Sequence, residues 1–182
     1  MAEKERKLVN NCNAAGLRPA MVDLPYPPTE VRGQNKTYAD LLSIDYSGAV
    51  SELSAITQYI NNQNRLSCDR CPLANTILQI AIAEMMHLRK LGELIFLLGG
   101  KVEFVAKYQN GQQRAWTAAY LSPQETARQM ILQDIDSERD AIHQYKVHMS
   151  RIDDDCVNAV LARIIQDEEY HIVILNALLK NV

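Results

Sequence analysis

Apolar residues return every three or four positions along four long stretches of the chain, the period of a helix that buries one face. These stripes predict helices from about Tyr38 to Gln63, Leu73 to Leu98, Pro123 to Met149, and from the turn at Asp153-Asp154-Asp155 to about Lys180. Each boundary carries its own signal. Pro72 suits a first helical turn, Gly99-Gly100 is a glycine stop, and Ser122-Pro-Gln-Glu125 reads as a capping box with proline at the first helical position. The acidic turn favours a helix N-terminus. Between Lys101 and Leu121 the pattern lapses into Val, Phe, Tyr and Trp without a stripe, and Trp116 and Tyr120 are expected to cover the bundle. Residues 1 to 39 hold Pro19, Pro25, Pro27 and Pro28 and little periodicity, which predicts an extended arm wrapped on a bundle or a neighbouring subunit. The expected organisation is therefore all-α, with an arm at 1–39 and one four-helix bundle domain at 40–182.

Carboxylates interrupt these stripes where only apolar side chains should stand. Glu84 and His87 lie three apart, on one helix face, among Ile77, Ile80, Ala81, Leu88 and Leu91. Glu168 and His171 repeat the spacing among Leu161, Ile164, Ile165, Ile172 and Leu175. A buried carboxylate costs several kcal/mol unless an opposite charge meets it, and the stripes offer no Lys or Arg. The other two helices carry one central glutamate each, Glu52 and Glu138. The octets that begin there, ELSAITQY and ERDAIHQY, share Glu, Ala, Ile, Gln and Tyr at the same offsets. The pattern is an internal duplication of a lone-Glu helix followed by a Glu-x-x-His helix. Helices in a hairpin face their centres only if the turn lies midway, and the midpoints of 52 and 84 (68) and of 138 and 168 (153) fall in predicted turns.

Four carboxylates carry a charge of −4, which two divalent cations neutralise. Glu52, Glu84, His87, Glu138, Glu168 and His171 are thus the candidate metal ligands, and a carboxylate-rich set with two imidazoles suits two iron or two manganese ions per chain. Asp134, one turn before Glu138, is the expected acceptor for the outer nitrogen of a ligating histidine. His143 and His148 fall off the Glu138 stripe and are expected to face solvent or a partner.

Composition narrows the partners. A net charge of −3 with no basic patch argues against nucleic acid or an anionic membrane surface. No apolar run reaches membrane-spanning length, and the charged start, Met1-Ala-Glu-Lys-Glu-Arg-Lys7, lacks a signal-peptide core, so the cytoplasm is the expected compartment. Cys12, Cys68, Cys71 and Cys156 read as too few and too scattered for a disulfide framework, which fits a reducing compartment, with Cys68-x-x-Cys71 as unpaired loop thiols or as one half of a site shared across a subunit interface.

The order Glu, Glu-x-x-His, Glu, Glu-x-x-His across residues 40 to 180 resembles the ferritin-like di-iron/di-manganese carboxylate superfamily, being similar to bacterioferritins, the rubrerythrin di-iron domain and manganese catalase. That resemblance implies a ferritin-like four-helix bundle with a long crossover between helices 2 and 3. It implies terminal ligation by Glu52 and Glu138, bridging by Glu84 and Glu168, one histidine per metal, and Tyr59 as a tyrosine beside the ligands; Glu52, Glu84, Glu138, Glu168 and Tyr59 form the expected catalytic set. The chain departs from rubrerythrins in having one CxxC pair and in carrying Ala141 where they carry a further glutamate. Met85 stands where bacterioferritins carry a haem-ligating methionine, and in this apolar helix it is expected to pack instead. The implied function is redox chemistry on hydrogen peroxide or dioxygen, since two metals about 3.5 to 4 Å apart deliver two electrons together. Rubrerythrin-like peroxide reduction, with an unidentified electron donor, is the favoured form; manganese catalase, ferroxidase or iron storage, and a non-enzymatic metal-binding protein are the alternatives. Apolar helical surface and the arm favour a homodimer.

Overall fold

The computed structural model describes residues 12–67 and 70–182. Its elements are α1 (Lys36–Ser47), α2 (Glu52–Leu66), α3 (Cys71–Leu97), β1 (Val105–Lys107), β2 (Gln113–Ala115), α4 (Ala127–Met149) and α5 (Asp155–Leu179), with a 3-10 turn at Ala118–Tyr120. α2 with α3 and α4 with α5 form two hairpins that pack into the four-helix bundle.

The first predicted helix is two helices. Gly48 ends α1 by donating its N–H to the Ile44 carbonyl, and Ser51 starts α2 by accepting from the Ser54 N–H. A Cβ at Gly48 would sit 2.6 Å from the Ile44 oxygen, so a side chain there forces the backbone to shift. The interruption places Glu52 in the first turn of α2, where the helix dipole favours a carboxylate. The start of α4 also differs from expectation: the capping box is Thr126 with Gln129, one turn beyond Ser122–Glu125. The other boundaries follow the signals read from sequence, with Pro72 in the first turn of α3, Gly99 at positive φ after it, and Asp154 capping α5.

The Asn35 N–H bonds to the Leu98 carbonyl and the Asp153 N–H to the Tyr38 hydroxyl. The C-terminal ends of α3 and α4 therefore lie at the same end of the molecule, and the connection between them runs the length of the bundle. It carries the antiparallel β1–β2 hairpin, in which Val105 faces Ala115 and Lys107 faces Gln113. The Trp116 indole N–H bonds to Ser54 Oγ and the Ser122 N–H to Gln58 Oε1, so the crossover covers α2 as expected of Trp116. The apolar core lies in two halves. One gathers Leu42, Leu91, Leu94, Val157 and Leu161; the other gathers Leu73, Ile77, Ile80, Ile131 and Leu175. Polar side chains fill the middle.

The arm returns beside the N-terminus of α3, and Cys12 is disulfide-bonded to Cys71 with a Cα separation of 5.2 Å. This corrects the reading of Cys71 as an unpaired thiol, and with it the use of the cysteines to argue for a reducing compartment; Cys68 lies outside the described residues. Closing a loop over a separation of 59 residues stabilises the fold by about 4 kcal/mol in the chain-entropy account. Among the described residues, no helix is long and apolar enough to cross a membrane. Met85 is 44% exposed on the outer face of α3 rather than packed inside, because it lies one position off the buried stripe.

Candidate metal centre

Each bundle helix delivers its ligand candidates to the centre from a buried position. Glu52, Glu84, His87, Glu138, Glu168 and His171 are all at most 3% exposed. They form two groups whose donor atoms lie within 4.8 Å of one another: Glu52, Glu84, His87 and Glu168, then Glu84, Glu138, Glu168 and His171. Glu84 and Glu168 belong to both.

The two halves mirror each other. His87 Nδ1 is 2.8 Å from Glu84 Oε2, 3.2 Å from Glu168 Oε1 and 3.5 Å from Glu52 Oε2. His171 Nδ1 is 2.9 Å from Glu168 Oε2, 3.1 Å from Glu84 Oε1 and 3.3 Å from Glu138 Oε1. The imidazole rings stack 5.9 Å apart. Tyr145 donates its hydroxyl to Glu52 and Tyr59 donates to Glu138, so each duplicated tyrosine serves the lone glutamate of the other hairpin.

The outer nitrogens fix the histidine orientation. His87 Nε2 lies 3.2 Å from Asp167 Oδ2, and His171 Nε2 lies 2.8 Å from the Ala20 carbonyl. Both partners accept, so each ring carries hydrogen at Nε2 and can turn the lone pair of Nδ1 inward when neutral. Asp134 does not fill the role expected of it: its oxygens accept from Asn62 Nδ2 at 3.0 and 3.1 Å. His148 is also misjudged by helical phase. It is buried, with Nδ1 2.7 Å from Asp45 Oδ2, and Gln144 ties the same aspartate to the Val50 carbonyl. His143 is exposed.

Asp167 and Ala20 carried no stripe signal. Asp167 is held by Arg163 Nη1 at 2.7 Å, by the Val22 N–H at 2.8 Å and by the Tyr26 hydroxyl at 2.8 Å. Its i,i+4 spacing from Arg163 is the one feature of the sequence that could have drawn attention to it. Burial opposes its charge, but His87, Arg163 and the Val22 N–H outweigh that and lower its carboxyl to about 2.

The electrostatics show what a metal would meet. Burial, with Glu84 and Glu168 nearby, pushes the Glu52 carboxyl well above the usual carboxylate range. Burial, with Glu168 and Glu84 nearby, does the same to Glu138. Burial also opposes the charge of Glu84, yet His171 and His87 together hold it below that range. Burial alone would depress both imidazoles, but the surrounding carboxylates raise them instead. Without metal the cluster is neutralised by protons. Cations entering it displace those protons, so affinity falls as pH falls.

The donor set fits two ions. Glu52 Oε2, Glu84 Oε1, Glu168 Oε2 and His171 Nδ1 are buried with no well-formed hydrogen bond among the described residues, an arrangement that costs free energy unless imidazolium protons or metal ions sit among them. A cavity of about 90 Å³ reaches the cluster between α2 and α4. Ala49, Ala55 and Ala141 leave it open, Asp134, Ser137 and Gln144 give it a polar wall, and Tyr120 to Ser122 lie at its rim.

Fold and site together define a helical-bundle protein with a central carboxylate–histidine cluster. The chain belongs to the ferritin-like domain family, whose profile matches residues 51–182. Similar solved structures include KatB, a manganese catalase from Anabaena PCC7120, with a TM-score of 0.78 and 22% identity over 87% of this chain and 78% of that one. The Rhodobacter capsulatus bacterioferritin has a TM-score of 0.65 at 22% identity, over 82% of this chain and 87% of that one. The Mycobacterium tuberculosis bacterioferritin BfrA has a TM-score of 0.64 at 24% identity over the same shares. At such identities the likeness shows the fold. No curated protein matches the chain significantly.

Proposed function

We propose that the chain holds two manganese or two iron ions and disproportionates hydrogen peroxide, in the manner of a manganese catalase. The observation that carries this reading is the mirrored cluster at the bottom of a small cavity, in which Glu84 and Glu168 stand in both donor groups. Glu84 and Glu168 would bridge, Glu52 and Glu138 would each bind one ion terminally, and His87 and His171 would supply one nitrogen each. When bound, such a pair of ions supplies the two electrons that one peroxide takes and another returns.

The remaining chemistry belongs to the side chains. Tyr145 and Tyr59 occupy one oxygen of Glu52 and one of Glu138, which fixes how those carboxylates present themselves. Asp134 lines the cavity, and burial, partly offset by the Asn62 hydrogen bond, pushes its carboxyl up to about 7. Ions in the cluster would favour its ionised form, which places a carboxylate beside the path of the substrate. The cavity has room for a molecule as small as peroxide or dioxygen.

A second reading is rubrerythrin-like reduction of peroxide by an external donor. The pairing of Cys71 with Cys12 disfavours it, because Cys71 is then no thiolate for an iron site that would pass electrons inward. Ala141 likewise leaves open the place of a further carboxylate. The experiment is oxygen release from peroxide by manganese-loaded and iron-loaded protein without reductant. Sustained release of one dioxygen per two peroxides is expected; peroxide consumption that needs added reductant would favour the second reading, and no turnover in either form would leave a metal-binding protein.

A further inference from the structure

Both histidines of the cluster are oriented through the arm, not through the bundle alone. The Ala20 carbonyl accepts from His171 Nε2, and the Ala20 N–H donates to the Gln79 carbonyl of α3 at 2.9 Å. Two residues on, the Val22 N–H holds one oxygen of Asp167 and the Tyr26 hydroxyl holds the other, which faces His87. Arg163 closes the arrangement from α5. It donates to the Val22 and Leu24 carbonyls and lies 4.5 Å from the centre of the Tyr26 ring. This stretch of the arm has no helix or strand of its own, so its register depends on these bonds and on its anchor, the Cys12–Cys71 bridge eight residues before Ala20.

We propose that residues 20–26 are a positioning element for both metal-binding histidines, and that the Cys12–Cys71 bridge locks this element in place, which makes metal retention responsive to thiols. The inference rests on the metal reading above. A dithiol gives two electrons and two protons to the bridge, leaving Cys12 and Cys71 as thiols and itself as a cyclic disulfide. Both cysteines are half-buried, within reach of a small reductant. The arm then keeps its contacts without the chain-entropy advantage of the closed loop. When it lifts, His171 loses its outer acceptor and Asp167 loses two of its partners together.

The test uses the full chain loaded with manganese, and with iron in parallel. Metal release into excess chelator is followed for the oxidised protein, the dithiothreitol-treated protein, Cys12→Ser and Tyr26→Phe. Loss of outer partners weakens metal holding by about 10–100-fold in general. Release is expected to quicken at least about tenfold after reduction and in Cys12→Ser, and measurably in Tyr26→Phe, with helical circular dichroism unchanged. Dithiothreitol should not quicken Cys12→Ser further, which separates bridge cleavage from chelation, and reoxidation should restore slow release in the wild type alone. Release at the wild-type rate from Cys12→Ser and from the reduced protein would overturn the inference while leaving the metal reading intact. A wild-type chain that takes up neither metal would overturn both.

Discussion

Replacing Asp134 by asparagine should stabilise the metal-free protein, and the gain should grow with pH. Asp134 is 1% exposed, and its only hydrogen-bond donor among the described residues is Asn62 Nδ2. Burial therefore raises its carboxyl from its ordinary value of 3.8 to about 7 in the folded chain. Because the folded value is raised, the unfolded chain ionises first as pH climbs, and the native state is penalised from about pH 4 until it ionises too near pH 7. Each unit is worth about 1.4 kcal/mol, so a rise of about three units costs the fold about 4 kcal/mol above pH 7 and about 1–2 kcal/mol at pH 5. Asparagine keeps the acceptor for Asn62 and removes the charge. Urea unfolding of metal-free wild type and Asp134→Asn at pH 5 and pH 8 measures the difference, and the other titrating groups cancel between the two proteins. Metal must be absent, since cations in the cluster favour the ionised form. A gain that is the same at both pH values, or a loss at pH 8, would refute the reasoning.

Three further outcomes follow from the site. Glu84→Ala should strip both ions rather than one, because this carboxylate lies in both donor groups, whereas Glu52→Ala should spare the His171 half; metal analysis of the two variants decides. Asp167→Asn should weaken metal affinity about 10–100-fold, as judged by chelator competition, since it removes the charged acceptor that orients His87. Ala141→Phe should leave metal content near the wild-type value while cutting peroxide turnover at least about tenfold, because position 141 lines the cavity of about 90 Å³ that leads to the cluster.

The centre of this molecule was legible because it breaks a rule. Glu84, His87, Glu168 and His171 stand in stripes that otherwise hold only apolar residues, and no bland core explains a carboxylate there. Glu52 and Glu138 were found through the repeated octets and the midpoint register. The supports of the site carried no such contradiction. His171 is oriented by the carbonyl of Ala20, and a backbone acceptor has no sequence signature. Asp167 meets its histidine 80 residues away, so the pair becomes visible only in the fold. The hydrophobic pattern ran unbroken through Gly48, Ala49 and Val50 because small residues fit a stripe as well as a break, and two helices were read as one. Pro123 suits a first helical turn, but α4 starts one turn later, where Thr126 and Gln129 close the capping box. The pairing of Cys12 with Cys71 depends on where a non-periodic arm returns, which hydrophobic period does not encode.

The central claim is that these six side chains hold two metal ions. Element-resolved metal content of protein purified without added metal or chelator tests it most directly. About two manganese or two iron ions per chain are expected on the carboxylate–histidine chemistry of the site, with manganese supporting the catalase reading. A chain that binds neither metal, even after anaerobic addition of both, would contradict the account.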